Sequence, residues 1–322
     1  MLTADALSTP ARYAPWTKGI YDVAPALRPL GTDFGNGNQD ACLIQLDREF
    51  PRYRMNKEAA YADERSKYFG LADLPCAVTL AVIQAIAEHL CRDYPGAYSQ
   101  CEKSLTCSLT GDCVEWTEDG RLDRENSRLA VPCGHLLEAV ALQIQPDLAV
   151  IVREPNDVDR VAAVHVCAPS HWDPVGKLGQ SFFETHTVVP GFDRVNAAAG
   201  KMVEAMIAQG PFVRFVWGVE SDDRLNHHPD PPDGWSFDNW NGRRFDRDSF
   251  WVRVERQTLL GLPEVNAALF VIHAKTVCAQ TVLASTDERR ALVTALHSMS
   301  PDARRYKGVD THFDALIAQL EA

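Results

Sequence analysis

The chain has 322 residues, of which 46% are hydrophobic and 24% charged, so it has the composition of an ordinary globular protein and not of a disordered one. Its 44 acidic residues outnumber its 32 Lys and Arg residues, giving a formal charge of −12 that disfavours nucleic-acid binding. No apolar run approaches the roughly 20 residues that cross a bilayer, and no signal peptide is expected. We therefore expect a cytoplasmic protein whose nine cysteines are reduced.

The first half of the chain is predicted to hold an N-terminal arm and two helices. Residues 1–40 are rich in Pro, Gly and aromatic side chains, which favours an extended arm that packs through its aromatics or acts as a lid. A single domain is expected over residues 41–322. Asp73 is a good N-cap for a core helix over 74–92. Strong helix formers over 56–68 predict a second, mostly exposed helix. The predicted elements are helices over 56–68 and 74–92 and a short hairpin of 105–109 with 113–117.

The second half alternates between apolar strand-like runs and helical runs. Short turns join successive strands in two places, which favours antiparallel pairing. The prediction is an α+β fold with a mainly antiparallel sheet. The predicted strands are 148–152, 161–167, 212–219, 250–259 and 267–274, and the predicted helices are 136–144, 195–208, 286–298 and 310–321.

The stretch from His165 to Gly191 carries more hydrogen-bonding and metal-ligating side chains than a surface loop needs. It leaves an apolar strand and contains three histidines, a cysteine, a tryptophan and a lysine. Ordered loops on a rigid scaffold are where functional sites usually lie, so this stretch is the candidate site. Its chemistry-bearing residues are His165, Cys167, His171, Trp172, Lys177 and His186.

Several familiar site motifs are absent. The sequence has neither a glycine-rich nucleotide loop nor the G-x-S-x-G pattern of serine hydrolases. Cys101, Cys107 and Cys113 are too widely spaced for the close pairs of a structural zinc site, and we interpret them as ordinary thiols. His227 and His228 lie in a long polar loop, where neighbouring side chains of an extended chain point to opposite sides. We interpret that loop as solvated.

The predicted strand 250–259 alternates between two faces. Phe250, Val252, Val254 and Arg256 share one face, whereas Trp251, Arg253, Glu255 and Gln257 share the other. Arg256 stands among apolar residues, and a buried arginine needs a partner. That partner is either a ligand carboxylate or an internal one such as Glu255.

Two blocks of sequence resemble one known family. The first block comprises CAPSHWDP (167–174), KLG (177–179) and HTVVPG (186–191), and the second comprises RVERQTL (253–259), LP (262–263) and AALF (267–270). Both resemble the haem-dependent oxidative N-demethylase alpha-subunit family, and the similarity runs in order over most of residues 30–315.

The resemblance implies a PAS-like antiparallel sheet, elaborated with several helices, that binds haem b. It also implies the oxidation of a small secondary amine such as dimethylamine by O2, giving the demethylated amine and formaldehyde. Electrons would come from a separate reductase that carries FMN and a 2Fe-2S cluster.

Haem requires an axial ligand, cations for its propionates and an apolar slot. His186 lies between apolar residues inside a matching run and is the first choice of ligand, with His165 and His171 as alternatives. A satisfied structural histidine remains the competing interpretation for each of them. Lys177 is a candidate propionate partner.

Three further roles are left open by the sequence. Arg253 and Arg256 are the other candidate propionate partners. Trp172 lines the haem pocket or packs in the core. The counter-charge for a cationic amine is expected from Asp246, Asp248 or Glu255.

A second class of function is compatible with the same resemblance. PAS-like folds often act as sensors, and a fold does not fix a function. The alternative is therefore a haem or small-ligand sensor without catalysis.

Overall fold

The computed structural model describes residues 3–24, 26–155, 158–192, 199–243, 245 and 250–321. The helices, numbered in chain order, are α1 Phe50–Glu64, α2 Cys76–Asp93, α3 Leu136–Ala141, α4 Phe182–His186, α5 Ala199–Ala208, α6 Phe237–Trp240, α7 Ala279–Leu283, α8 Thr286–His297, α9 Pro301–Tyr306 and α10 Phe313–Glu321. The strands are β1 Arg28–Pro29, β2 Phe69–Leu71, β3 Tyr98–Cys101, β4 Ser104–Cys107, β5 Cys113–Glu115, β6 Asp147–Arg153, β7 Asp159–His165, β8 Phe212–Glu220, β9 Trp251–Leu262 and β10 Ala267–Cys278.

The strands form one large sheet and one small sheet. The large sheet has seven strands in the order β1-β8-β9-β10-β6-β7-β2, and the small one has the order β3-β4-β5. Every strand pairing described is antiparallel. The predicted α+β class with a mainly antiparallel sheet is therefore confirmed.

The two central strands are longer than predicted, and Gly261 shows why one of them continues. β9 and β10 pair over twelve residues each, beyond the predicted ends at 259 and 274. A Cβ at Gly261 would lie 2.1 Å from the carbonyl oxygen of Ile207. The glycine therefore does not end the strand but lets the last turn of α5 approach it.

The helix α1 also differs from its prediction. It begins at Phe50, before the predicted start at residue 56, and Pro51 occupies its first turn, where a missing N–H costs nothing. Its end at Glu64 is followed by a short 3-10 turn over Arg65–Lys67.

The large sheet has a core face and a cavity face. On the core face, α2 and α3 pack against apolar residues of β6, β7 and β10, such as Leu148, Ala162 and Leu269. On the other face, α4 and α5 lie over the sheet and leave a cavity. The alternation of side chains in each strand decides which residues meet which face.

The N-terminal arm is part of a second apolar core. Trp16 is fully buried, and with Tyr13 it packs among Trp217 of β8 and residues of the C-terminal helices such as Leu292. β1 pairs with β8 at Arg28–Pro29 and so extends the sheet. The aromatic side chains of the arm thus have packing roles.

Among the described residues, no helix is both long and apolar enough to cross a membrane.

Candidate functional site

A cavity of about 370 Å³ lies on one face of the large sheet. Alternate residues of β6 to β10 form its floor, and α4 and α5 form much of its walls. Its volume is in the range of small-molecule and cofactor sites. The apolar part is lined by Ile151, Phe182, Phe192, Met202, Met206, Leu259 and Phe270.

The N-terminal arm covers part of this cavity. Tyr21, Asp22, Val23 and Leu27 all line it, although they precede the first long helix. The arm therefore contributes to the site as well as to the second core.

His186 lines the apolar part of the cavity at the end of α4. Its ring stacks on Phe192 with 4.8 Å between ring centroids and lies 4.3 Å from the ring of Phe182. Nδ1 is 2.7 Å from the carbonyl oxygen of Phe182, which can only accept, so Nδ1 carries the proton and donates it. Nε2 is then the nitrogen with a free lone pair, as in histidines that bind a metal through one nitrogen and are oriented through the other.

The environment also keeps His186 neutral. Burial lowers the pKa of its imidazole below the usual value, and the nearby cations Arg214 and Lys177 act in the same direction. A neutral imidazole is the form that ligates metals. A capping box formed by Ser181 and Glu184 starts the short helix that holds this ring.

The opposite end of the cavity is charged. Oε2 of Glu220 lies 2.9 Å from Nε2 of His171, within hydrogen-bond distance. Nε of Arg243 lies 3.0 Å from the same ring nitrogen. One ring nitrogen cannot donate to Glu220 and accept from Arg243 at once. Burial lowers the pKa of His171 to about 4, so the ring is neutral at pH 7 and takes one of the two roles.

His171 holds an uncommon backbone conformation at this end of the cavity. Its φ of 60° lies in the left-handed region, which residues with side chains rarely adopt. The backbone N–H of His171 donates to the carbonyl of His227 over 3.0 Å, and the two rings stack 4.9 Å apart. These contacts fix the position of the His171 side chain at the cavity wall.

Lys307 and Glu255 add two charged side chains to this end of the cavity. Both line the cavity. Burial lowers the pKa of Lys307 to about 8, although the carboxylates of Glu255 and Glu220 oppose this shift. Glu255 accepts a hydrogen bond of 3.1 Å from Gln257 and lies 3.5 Å from Nε of Arg253.

Besides His186 and His171, four more of the residues singled out from the sequence line the cavity. Lys177 and Trp172 lie on the segment that leaves β7, and Arg253 and Glu255 lie on β9. The guanidinium of Arg253 already donates to the backbone carbonyls of Leu225 and Ala168. Arg253 therefore anchors two loops at the edge of the cavity.

Arg256 and His165 lie on the other side of the sheet. Arg256 donates to the carbonyl of Cys42 over 2.7 Å, with longer contacts to neighbouring carbonyls, and does not line the cavity. His165 is fully buried on the core face beside Tyr61. We therefore do not place either residue against a ligand in the cavity.

The carboxylates Asp246 and Asp248, which the sequence suggested as counter-charges, lie outside the described residues. Of the three candidates, only Glu255 can be placed.

Several charged cavity residues were missed by the sequence reasoning. Among them are Arg214, Glu220 and Lys307. Arg214 and Glu220 lie on β8, where they alternate with buried Val213 and Val219. This alternation of charged and apolar residues was a usable signal, since it marks the face of the strand that meets polar groups.

Arg214 has few partners within the protein. Its buried Nε atom has no hydrogen-bond partner in the described part of the chain. Burial lowers the pKa of the guanidinium, and the carboxylates of Glu255 and Asp22 partly compensate. A cation of this kind is available to an anionic group in the cavity.

The comparison with protein families identifies the class of protein. Residues 37–317 match the family model of the haem-dependent oxidative N-demethylase, alpha subunit-like proteins. This match covers most of the chain, and the protein belongs to that family. The resemblance seen in the sequence is thereby confirmed. A search of curated proteins finds no match.

The name of the family implies haem dependence. Because the name describes an alpha subunit, it also implies a partner subunit.

Proposed function

We propose that the protein is the haem-binding subunit of an oxidative N-demethylase that acts on a small secondary amine of the dimethylamine type. The reaction consumes dimethylamine, dioxygen, two electrons and two protons, and it yields methylamine, formaldehyde and water. The observation that carries the proposal is the cavity with His186, whose tautomer leaves Nε2 free to ligate a metal.

The residues of the cavity fit haem b. The apolar end offers phenylalanine, leucine and methionine side chains to a macrocycle, and His186 lies among them. Arg214 and Lys177 supply cations for two propionate groups. Bound haem supplies the activation of dioxygen in such a reaction.

The charged end of the cavity suits the amine and its protons. Glu255 provides a carboxylate for an ammonium group, and its partial pairing with Arg253 moderates that attraction. Lys307, with a pKa of about 8, can exchange a proton at Nζ near neutral pH. Apolar walls and the N-terminal arm restrict the access of bulk water.

The electrons require a partner, which fits the alpha-subunit-like family. We propose a reductase with FMN and a 2Fe-2S cluster as that partner. O2 and the amine are the small-molecule substrates.

The first test is the visible spectrum of the purified chain after haem is supplied. We expect a Soret band, and we expect His186→Ala to change the ligation spectrum because the free Nε2 is lost. His171→Gln is the matched control, since His171 lines the same cavity but would not bind the iron. An unchanged spectrum in His186→Ala would rule out this ligand, and the absence of a Soret band would rule out haem binding.

Formaldehyde release then separates an enzyme from a haem-binding sensor. Dimethylamine, O2 and a chemical or enzymatic reductant are added to the haem-loaded protein. We expect formaldehyde in amounts that exceed the protein concentration. A haem-loaded protein that releases none would support the sensor alternative.

A further inference from the structure

A second cluster of metal-ligating side chains lies on the core face of the large sheet, away from the cavity. Asp147, His165 and Cys167 are all buried, and one ligand atom from each lies within 4.8 Å of the other two. The three come from the start of β6 and from the end of β7 and its extension. They also lie at the point where the chain leaves the sheet for the segment that carries His171 and His186.

His165 is the unusual member of this cluster. It is fully buried, and neither ring nitrogen has a hydrogen-bond partner among the described residues. A buried polar group without a partner costs about 1–3 kcal/mol. His273 carries the same cost, but of these two histidines only His165 belongs to a described cluster of metal-ligating side chains.

Two buried polar side chains lie near this cluster. The ring of Tyr61 is 5.8 Å from that of His165. The Tyr61 hydroxyl is close enough to Glu138 to share a hydrogen bond with it, and the carboxylate of Glu138 acts electrostatically on the thiol of Cys167. Polar groups that can contact an additional ligand therefore lie beside the three metal-ligating residues.

We propose that Asp147, His165 and Cys167 bind one zinc ion at this place. Thiolate, imidazole and carboxylate together are the donor set that zinc prefers. In a tetrahedral site with bonds of about 2.0–2.3 Å, neighbouring ligand atoms lie about 3.5 Å apart. The three atoms therefore need to move by about 1 Å or less to close on an ion.

A water molecule completes the tetrahedron, with Tyr61 and Glu138 as its hydrogen-bond partners. Binding replaces the thiol proton of Cys167 by the metal, and the proton passes to solvent. Asp147 keeps its bonds from the backbone N–H groups of Cys167 and Ala168, because each carboxylate oxygen has a second lone pair.

The nearest cation does not occupy the position of the zinc ion. Lys57 donates to the backbone carbonyls of Ala141, Ile144 and Pro146 at 2.8–2.9 Å. The other described cluster, His171 with Glu220 and His227, differs in this respect. There the guanidinium of Arg243 lies 3.0 Å from His171 and 3.5 Å from Glu220, so a cation already stands among the ligands.

The zinc ion would stabilise the start of the segment that carries His171 and His186. Its role is structural, and it does not depend on haem. Removal of zinc by a chelator is expected to lower the melting temperature of the haem-free protein, because an ion that binds only the folded state stabilises it.

The test measures zinc by inductively coupled plasma mass spectrometry in protein produced in zinc-supplemented medium and then dialysed. We expect about one zinc ion per chain, a loss of most of it in Cys167→Ser, and full retention in Cys107→Ser and His186→Ala. Cys107 is the matched control because it is another fully buried cysteine, outside the cluster. Circular dichroism establishes that each variant is folded.

Exchange of cobalt for zinc gives a measurement that needs no variant. Cobalt bound to Cys167 produces a thiolate-to-cobalt absorption band in the wild-type protein. Zinc content that is equal in Cys167→Ser and wild type, or folded wild-type protein with neither zinc nor the cobalt band, would overturn the proposal.

Discussion

Arg214 and Arg256 lie on neighbouring strands, β8 and β9, and point to opposite faces of the large sheet. Arg256, on the core face, donates to the backbone carbonyl of Cys42 and contacts those of Asp40 and Leu43. Arg214, on the cavity face, has a buried Nε without a partner in the described part of the chain. The two faces thus use the same residue type differently. The terminal nitrogens of Arg256 donate to backbone carbonyls, although its Nε also lacks a partner among the described residues. No hydrogen bond joins the side chain of Arg214 to another described residue, so its cation is available to a ligand.

The largest effect is expected from Arg256→Met. The variant removes the donor to the half-buried carbonyl of Cys42 and to the buried carbonyls of Asp40 and Leu43, and it removes packed atoms, so the free energy of unfolding should fall by about 3 kcal/mol. Urea unfolding of the haem-free protein measures this change. A loss of haem affinity in Arg256→Met with unchanged stability would reverse the roles assigned to the two faces.

The next effect concerns acid sensitivity on the core face. His273 is buried on β10, and both of its ring nitrogens are unpaired among the described residues. Burial lowers its pKa well below the usual value. The nearby cations Lys275, Arg256 and Lys57 act in the same direction. The native state therefore keeps this ring neutral while the unfolded chain takes up a proton below pH 6.5. Between pH 7.5 and pH 5 this histidine alone should remove about 2 kcal/mol of stability.

The variant His273→Leu isolates that contribution. Its free energy of unfolding should fall less steeply than that of the wild type as the pH drops from 6.5 to 5, and the two curves should run parallel above pH 7.5. Curves that stay parallel throughout would show that the unpaired ring does not resist protonation.

The smallest effect is expected from Arg214→Met, the same substitution on the cavity face. Because Arg214 is proposed to bind a propionate, the dissociation constant of haem should rise about tenfold, the equivalent of one charge-assisted hydrogen bond. The free energy of unfolding of the haem-free protein should change by less than about 1 kcal/mol. Titration of the variant with haem, followed at the Soret band, measures the first quantity. Unchanged haem affinity together with a large loss of stability would assign Arg214 to the core.

Local patterns in the sequence were sufficient to predict the fold class. Apolar runs marked the strands that became β6 to β10, with alternation in the one that became β9, and the short turns within two pairs of them indicated antiparallel pairing. The pattern in β9 also separated Arg256 from Arg253 and Glu255, which lie on opposite faces of the strand. The pattern did not show which face of the strand lines the cavity, because that depends on where α4 and α5 pack.

The charged end of the cavity was harder to predict from the sequence. Glu220 and Lys307 are far apart along the chain and meet only because β8 and the C-terminal region pack together. The tautomer of His186 likewise depends on one turn of helix, which brings the carbonyl of Phe182 to its ring. Such contacts come from the folded structure, whereas the prediction of His186 rested on the matching run HTVVPG and on the apolar residues around it.

The arm that covers the cavity begins before residue 37, where the match to the family model starts. Tyr21, Asp22, Val23 and Leu27 therefore line the cavity from a stretch that the matched region does not include. His186, by contrast, is held by α4, inside that region. For an engineer, the arm is a part of the cavity lining that can be altered separately from the helix that carries His186.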